Sequence, residues 1–339
     1  MNARLERKLR LFAGIIAVGT IAGLSVSFAQ GRTSPAGVVV GITYGLSMSA
    51  AIGGLELFVL DGPIRTWLTS LSFTANLIVR SAIYAAIIMV VQLLQLGELV
   101  AGLPLETSGK NFWFGFIYSA VLAVMGNLIF VIANLIGSRA LLNFISGRYH
   151  APVEENRFVL FVDIAGSTGL AERLGGVGIH RFLDRTFRLL TAAVVDTRGE
   201  VLNYVGDEVI VTWPERVGAI DCRPLRCFAA MREELSGAAS QFEREFGASP
   251  RIRGSLHFGS VIVGEIGDIK RAIVFNGDVM NTAARLEELS RNVKGGFLAS
   301  RAAMARFDAA PPSAVRDLGH LAIRGRADGI DVVGLDAPA

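Results

Sequence analysis

The chain has 339 residues, of which 52% are hydrophobic and 19% charged, with a formal net charge of +3. It is more apolar than a soluble globular protein usually is, so a wholly soluble protein is excluded. Its length is sufficient for two domains. The sequence has no basic cluster interleaved with aromatic residues, which argues against a nucleic-acid partner.

The apolar excess lies in the first part of the chain. A membrane core of ~30 Å can be crossed by a helix of about 20 apolar residues. Uncharged runs of suitable length occupy residues 11–31, 33–55 and 111–138, and a shorter run at 81–97 is extended upstream by apolar residues 66–79. We therefore predict a short tail at 1–10 and a unit of four transmembrane helices at 11–138.

The first run has a second interpretation, a signal peptide cleaved near Ala29. Its apolar stretch is longer than the usual core of ~7–15 residues, and another span follows almost at once. We therefore favour a retained helix.

The orientation is predicted from the cations that flank the membrane unit. Cytoplasmic segments carry an excess of Lys and Arg. Such residues stand before the first span and after the fourth: Arg4, Lys8, Arg10, Arg139, Arg148 and Arg157. We expect an inner (plasma) membrane protein with its N-terminus and its C-terminal half in the cytoplasm.

Two features of the membrane unit have open interpretations. Glu56 and Arg80 are ionisable residues at membrane segments, where they are either functional or extend to an interface by snorkelling, and we favour snorkelling. The second span has small residues at Gly37, Gly41 and Gly45, a spacing that favours helix dimerisation. The unit would thus anchor and dimerise the protein, or bind an unknown lipid, quinone or peptide ligand.

After a helical exit and linker at residues 139–156, the pattern changes to alternating strands and helices. We predict strands at 158–162, 201–204, 209–213, 252–258 and 260–266, with the last two forming a hairpin, helices at 170–197, 224–246 and 279–289, and strand and turn at 322–335. This mixture predicts an α+β domain with a largely antiparallel sheet at residues 157–339.

Two acidic turns follow predicted strands. The run FVLFVDIAGST (158–168) ends in Asp163 and the turn residues Gly166, Ser167 and Thr168, and NYVGDE (203–208) contains Asp207. Carboxylates at adjacent strand ends suit divalent cations bound to a polyphosphate, and free backbone amides in the turn suit phosphate oxygens. Separately, each motif is also compatible with an ordinary helix cap or hairpin turn.

A third motif is GDVMNTAARLE (277–287). In a helix, Asn281 and Arg285 are four residues apart and share one face. An amide and a guanidinium on one face can orient a ribose and neutralise charge that develops on phosphorus. The simpler alternative for the pair alone is a solvated helix surface.

In this order and spacing, FVDIAGST, NYVGDEV and GDVMNTAARLEE resemble the catalytic domain of class III nucleotidyl cyclases over about residues 157–336. The resemblance implies a ferredoxin-like antiparallel sheet with helices. It also implies that Asp163 and Asp207, with the Ile164 carbonyl, bind two Mg²⁺ or Mn²⁺ ions. Asn281 would orient the ribose and Arg285 would stabilise the phosphate.

The resemblance carries two further implications. An arginine, Arg324 or else Arg326, would replace the phosphate-binding lysine of the family. The metal-binding aspartates of one chain and the Asn/Arg helix of another would meet in a head-to-tail homodimer. A lone monomer would then be inactive.

The chain departs from the pattern of ATP-using cyclases at the base-recognition positions. Asn203 replaces a lysine and Val274 replaces an Asp or Thr. Asn203 can donate and accept a hydrogen bond, Val274 can do neither through its side chain, and Asn276 is a possible substitute. We expect an unusual or relaxed base preference, because a site without a hydrogen bond to the base discriminates weakly.

The sequence thus predicts a membrane-bound enzyme that converts a nucleoside triphosphate, with ATP favoured, to the 3′,5′-cyclic monophosphate and pyrophosphate. The alternatives are a catalytically silent signalling module that keeps the fold and binds a nucleotide or partner, and a transporter or channel with a regulatory domain. We interpret His180, His257 and His320 as structural or surface residues, and we expect Cys222 and Cys227 to be reduced.

Overall fold

The computed structural model describes residues 3–60, 64, 67–68, 71–104, 109–269, 271–323 and 329–335. The chain divides into two compact units, Met1–Leu141 and Leu142–Ala339.

The first unit is helical. Its α-helices are α1 (Ala3–Ala29), α2 (Pro35–Gly54), α3 (Phe73–Leu93), α4 (Leu96–Ala101) and α5 (Lys110–Ile136). The next helix, α6 (Ser138–Ile145), contains the boundary between the two units. Four stretches among the described residues are long and apolar enough to cross a membrane: Lys8–Ala29, Pro35–Val59, Phe73–Ala101 and Lys110–Ala133. The prediction of four membrane helices is confirmed, and the third stretch includes Arg80.

Helices α1 and α2 pack through glycines. A Cβ atom added at Gly23 would lie 2.3 Å from the carbonyl oxygen of Gly41, and one at Gly45 would lie 2.4 Å from that of Gly19. The backbones can approach this closely only because neither helix has side chains there. The small-residue face of α2 is therefore occupied by α1 of the same chain, and its predicted use in dimerisation is wrong.

The snorkelling interpretation of Arg80 and Glu56 is also wrong. Arg80 is buried, and its guanidinium forms an ion pair with the Glu56 carboxylate. The Tyr84 hydroxyl donates to the other oxygen of Glu56, Oε1, at 2.5 Å. The two charges neutralise each other inside the unit, which lowers the cost of keeping them in an apolar environment.

A second buried acid has the same kind of partners. Arg32 Nη1 lies 2.8 Å from Glu98 Oε1, and the Tyr44 hydroxyl donates to Glu98 Oε2 at 2.6 Å. Gln95, the residue that precedes α4, has a positive φ of 48° and lies between α3 and α4. The break turns Glu98 towards Arg32 and Tyr44.

The second unit is built on one sheet. Its strands are β1 (Val153–Ile164), β2 (Glu200–Val205), β3 (Glu208–Pro214), β4 (Ile252–Ile266), β5 (Ala272–Asn276), β6 (Phe297–Ser300), β7 (Val315–Leu321) and β8 (Ile330–Leu335). Their order is β2-β3-β1-β4-β6-β8-β7, and β5 pairs with β4. The β4–β6 pair is parallel and the other pairs are antiparallel, as expected for the predicted α+β domain.

The α-helices that follow β1 in the described part of this unit are α7 (Ser167–Asp196), α8 (Glu215–Gly218), α9 (Arg223–Phe246), α10 (Asp278–Ser290) and α11 (Arg301–Met304). Alternate residues of β1 serve the two faces of the sheet. Phe158 and Leu160 belong to the core that also contains residues of α7 and α9, whereas Val159 and Phe161 pack in the core formed with α10. Asp163 continues the second series and therefore lies on the α10 side.

The predicted hairpin at 252–266 is wrong, because β4 is one strand through Gly259. A Cβ atom at Gly259 would lie 2.6 Å from Val279 Cγ2. This glycine thus permits close packing of α10 on the strand and does not form a turn. Strands β5, β6 and β7 were not predicted.

The chain enters the sheet earlier than expected. Strand β1 begins at Val153, within the predicted linker, and Tyr149 just before it is buried against Val159 and Phe161. Arg157 is also buried and donates from Nε to Glu155 at 2.8 Å. The segment that leads into β1 is therefore fixed to the second unit.

The glycine contact between α1 and α2 makes Gly23→Ala destabilising. The new methyl would collide with backbone atoms, and overpacking of this kind costs about 1–3 kcal/mol. We expect the Tm of the full-length protein in detergent to fall by several degrees.

Gly14→Ala is the matched control on the same helix, because a Cβ there meets nothing within 4 Å. It should leave the Tm unchanged or raise it slightly, since Ala is the better helix former. Equal Tm values for the two variants would contradict the described packing of α1 on α2.

Candidate active site

Asp163 lies at the end of β1, between two strands that carry charged neighbours. Its cross-strand partners are Glu208 on β3 and Arg253 on β4. Asp163 is 4% exposed, and its carboxylate forms an ion pair with the Arg253 guanidinium. Arg253 Nε also donates to Glu287 Oε1 of α10 at 3.0 Å. One arginine therefore faces two buried carboxylates.

Asp207 is brought to the same place by the turn between β2 and β3. The Ile164 N–H donates to the Asp207 carbonyl oxygen at 3.1 Å, which joins this turn to the end of β1. The Ser167 hydroxyl donates to the Asp207 carboxylate. The predicted convergence of the acidic turn after β1 with the acidic turn after β2 is therefore present.

The turn after β1 leads directly into a helix. Gly166 has a φ of +78°, which a glycine adopts without strain, and α7 begins at Ser167. The first backbone N–H groups of a helix have no intrahelical acceptor and favour an anion. Thr168 and Gly169 are exposed in this first turn. The segment is therefore suited to phosphate oxygens, next to the paired aspartates.

Burial and, after it, like charges raise the pKa of two acids in this cluster, Asp163 and Glu208. Burial, followed by the Glu287 and Asp207 charges, raises the pKa of Asp163 to about 6, although Arg253 opposes the shift. Burial and then the Glu287 charge raise the pKa of Glu208 to about 7. Burial and the neighbouring negative charges therefore favour the protonated form of these two carboxyls.

These residues fit a hard divalent cation. Asp163 Oδ2 is buried, and within the described residues it accepts no hydrogen bond of regular geometry and is ion-paired with the Arg253 guanidinium. Among the described residues, no group of three or more His, Cys, Asp or Glu forms a complete metal cage. A cation held by Asp163 and Asp207 would therefore complete its shell with backbone carbonyls, water and substrate oxygens, which is typical of Mg²⁺.

The sequence reasoning did not identify Arg253, Glu208 or Glu287 as part of this site. Glu208 directly follows Asp207, so the acidic pair was visible in the sequence. Arg253 could be found only from the register in which β4 pairs with β1. The incorrect prediction of a hairpin at 252–266 did not give that register. Glu287 lies on the recognised helix α10, but its contact with Arg253 depends on the packing of that helix.

Asn281 and Arg285 lie on the outer face of α10. The inner face of the helix buries Val279, Ala283 and Leu286. Asn281 is exposed and Arg285 is half-buried. Over the part of the chain that the structure describes, neither residue has a hydrogen bond or ion pair to Asp163 or Asp207. One chain thus assembles the acids and presents the amide–guanidinium pair separately.

The predicted base-recognition residues lie on strands that are not hydrogen-bonded to each other. Asn203 is exposed on β2, and its Oδ1 accepts from the Tyr204 N–H at 3.0 Å. Val274 is half-buried on β5, and Asn276 is exposed at the end of that strand. Arg324 and Arg326, the candidate phosphate-binding arginines, lie outside the described residues.

The remaining candidates have the ordinary roles that the sequence predicted. His257 is buried, and its Nδ1 lies 2.8 Å from a serine hydroxyl. His180 and His320 are exposed on the surface. Cys222 and Cys227 are buried, free thiols.

Comparison with known proteins agrees with this geometry. Residues 150–329 match the family described as the Adenylate and Guanylate cyclase catalytic domain. Adenylate cyclase 2 of Rhizobium meliloti (strain 1021) is 32% identical over 313 residues, which cover 89% of this chain and 84% of the relative. Adenylate cyclase 1 of the same organism is 28% identical over 179 residues, 51% of this chain and only 26% of that relative.

Among solved structures, a bacterial light-regulated adenylyl cyclase superposes with a TM-score of 0.55 and 20% identity, over 64% of this chain and 63% of its own. At this identity the match shows the fold. Together with the family match, it shows that the chain belongs to the class III adenylate and guanylate cyclases, with four helices capable of spanning a membrane ahead of the cyclase domain.

The raised pKa values predict how stability depends on pH. A carboxyl with a folded pKa above its unfolded value holds its proton more tightly in the folded state, so stability falls as pH rises between the two values. For Glu208 this window runs from 4.5 to about 7. Without divalent cations, we expect the Tm to fall from about pH 5 to about pH 7.

Glu208→Gln should reduce this decline, and added Mg²⁺ should raise the Tm most at the higher pH. Glu233→Gln, at an exposed position on α9, is the control and should keep the wild-type slope. Scanning fluorimetry of full-length protein gives the measurement. A Tm that rises with pH, or the same slope in both variants, would contradict the charge cluster.

Proposed function

We propose that this protein is a membrane-anchored nucleotide cyclase that converts a nucleoside triphosphate to the 3′,5′-cyclic monophosphate and pyrophosphate. The observation that carries the proposal is the convergence of Asp163 and Asp207 beside the first turn of α7. ATP is the proposed substrate, because the relative that matches most of the chain is named an adenylate cyclase.

Asp163 and Asp207, with the Ile164 carbonyl, would hold two Mg²⁺ or Mn²⁺ ions. When bound, such ions neutralise the triphosphate and make the ribose 3′-hydroxyl easier to deprotonate. The backbone N–H groups of Gly166, Ser167 and Thr168 hold phosphate oxygens beside these acids.

The reaction forms a bond between the 3′-oxygen and the α-phosphorus. The bond from that phosphorus to the oxygen shared with the β-phosphate breaks, pyrophosphate leaves, and the hydroxyl proton passes to solvent. Asn281 orients the ribose for this in-line attack, and Arg285 and Arg324 neutralise charge on the phosphorus oxygens.

We assign the complete site to a head-to-tail homodimer. Within the described chain, Asn281 and Arg285 form no hydrogen bond or ion pair with Asp163 or Asp207, so the two halves of the site would come from different chains. A two-fold dimer provides two equivalent sites. Exposed apolar side chains of the second unit offer surface for such an interface: Tyr204, Val205, Ile262 and Ile266.

The proposed organisation is a tail at 1–10, a membrane unit at 11–138, a coupling segment at 139–156 and a catalytic domain at 157–339. Both ends of the chain would lie in the cytoplasm at the inner (plasma) membrane, where nucleoside triphosphates are present. The cations at the ends of the membrane unit support this orientation.

Two variants test the shared site. Asp207→Ala and Arg285→Ala should each reduce turnover below a tenth of wild type, measured on full-length protein with ATP and Mg²⁺ or Mn²⁺. Coexpression should restore activity, because a mixed dimer has one site with intact acids and an intact arginine. With random pairing, about a quarter of wild-type turnover is expected.

Asp184→Ala is the control for loss of a carboxylate, since Asp184 is exposed on α7 and pairs only with Arg188 among the contacts described for it. It should retain wild-type turnover. Each inactive variant should remain folded and dimeric by size-exclusion chromatography. Activity of Asp207→Ala above a tenth of wild type would refute its role, and absence of recovery in the mixture would refute the shared site.

The base preference is a separate prediction. Because Val274 offers no side-chain hydrogen bond, turnover of ATP, GTP, CTP and UTP in Mn²⁺ should differ less than in an enzyme with a matched base pocket. The double substitution Asn203→Lys and Val274→Asp should increase the ratio of ATP to GTP in kcat/KM by about tenfold, for one added hydrogen bond to a charged group.

Glu233→Gln is again the control and should keep the wild-type ratio. If wild type already discriminates between the four nucleotides by several orders of magnitude, Asn203 and Val274 are not the determinants of selection. An unchanged ratio in the double variant leads to the same conclusion.

A further inference from the structure

The membrane unit contains a groove with a volume of about 820 Å³, lined mainly by α1, α2, α3 and α5, with Glu98 of α4. This size lies within the range of about 300–1,000 Å³ for small-molecule sites. The middle of the groove is apolar, with Met48, Ile88 and Leu122 among its lining residues. Tyr84 and Gln92 also line the groove. At 1.5 Å per residue they are about 12 Å apart along α3, which gives the length of the groove between them.

One end of the groove has an unused hydrogen-bond acceptor. Asn127 lines the groove and is only 2% exposed. Its Nδ2 donates to Ser81 Oγ at 3.1 Å and to the Leu77 carbonyl oxygen at 3.3 Å, which fixes the orientation of the amide. Its Oδ1 is buried and has no hydrogen-bond partner in the described chain. In a bilayer no water is available to satisfy this oxygen, so a donor from a ligand would be favoured.

Three charged residues of the groove, Glu56, Arg32 and Glu98, are already in ion pairs. Glu56 forms its ion pair with Arg80, and Arg32 forms one with Glu98 at the other end. Arg10, which also lines the groove, has an interaction of its own. A charged head group would therefore have to compete with the Glu56–Arg80 and Arg32–Glu98 pairs.

We propose that this groove binds a neutral, single-chain lipid whose head group carries a hydroxyl. The hydroxyl donates to Asn127 Oδ1, and the alkyl chain lies in the apolar middle of the groove. A monoacylglycerol has this chemistry. The site is independent of the proposed catalytic function, since every lining residue belongs to the first unit.

Binding can be measured by native mass spectrometry of the full-length protein from phosphatidylcholine nanodiscs that contain one added probe. The probes are monoolein, methyl oleate, which has no hydroxyl, and oleate, which is charged. We expect monoolein adducts at several-fold higher occupancy than methyl oleate, corresponding to one hydrogen bond worth about 1 kcal/mol. Oleate should bind more weakly than monoolein.

Two variants locate the site. Gly126→Phe should abolish monoolein retention, because Gly126 lines the groove and a Cβ there meets open space. Val121→Phe, at an exposed position on α5 outside the groove, is the matched control and should bind as wild type does. Asn127→Leu should bind monoolein and methyl oleate equally.

Each of the other outcomes overturns the proposal. These are equal retention of monoolein and methyl oleate by wild type, a preference for oleate, and equal binding by the Gly126 and Val121 variants. If Asn127→Leu binds neither probe, its cyclase turnover shows whether that variant is folded. The test of the proposal is then the loss of monoolein binding in Gly126→Phe. These outcomes concern lipid binding and do not test the proposed cyclase activity.

Discussion

The structure of the second unit depends on one electrostatic constraint, the burial of several carboxylates at the end of β1. Burial, and then the neighbouring negative charges, raise the pKa of Asp163 and of Glu208, and Arg253 is the cation that opposes this for Asp163. Such a cluster lowers the stability of the folded chain near neutral pH, so it is retained at a cost. A bound cation would remove this cost, which links the fold of the sheet to the chemistry of the family.

The sequence was sufficient for features that depend on local patterns. The two acidic turns, the four apolar spans and helix α10 were all predicted from residue type and spacing. It was insufficient where register or packing decided the outcome. The hairpin at 252–266 was wrong because Gly259 accommodates α10, and this error also concealed Arg253, which reaches Asp163 only through the pairing of β4 with β1.

The same limitation applies to the membrane unit. A stripe of glycines predicts close helix packing, but it does not specify which helix is packed, and here α1 of the same chain occupies the stripe. Arg80 was expected at an interface because a single charge in an apolar helix is costly. Its partner Glu56 is 24 residues away, so the buried pair could be recognised only from the arrangement of the helices. The unit is consequently more polar inside than its composition indicates.

Strand β1 connects two features that lie far apart in the second unit. Tyr149 and Arg157 fix its beginning, and Asp163 stands near its end. The strand has 12 residues and is hydrogen-bonded on both sides over most of its length, so it forms a stiff strut of roughly 40 Å. Because the strand is continuous from Val153 to Ile164, a displacement of its first residue would move the whole strand. Small shifts in the segment before the sheet would therefore reach Asp163 as rigid movement, and the strand would transmit them to the candidate site.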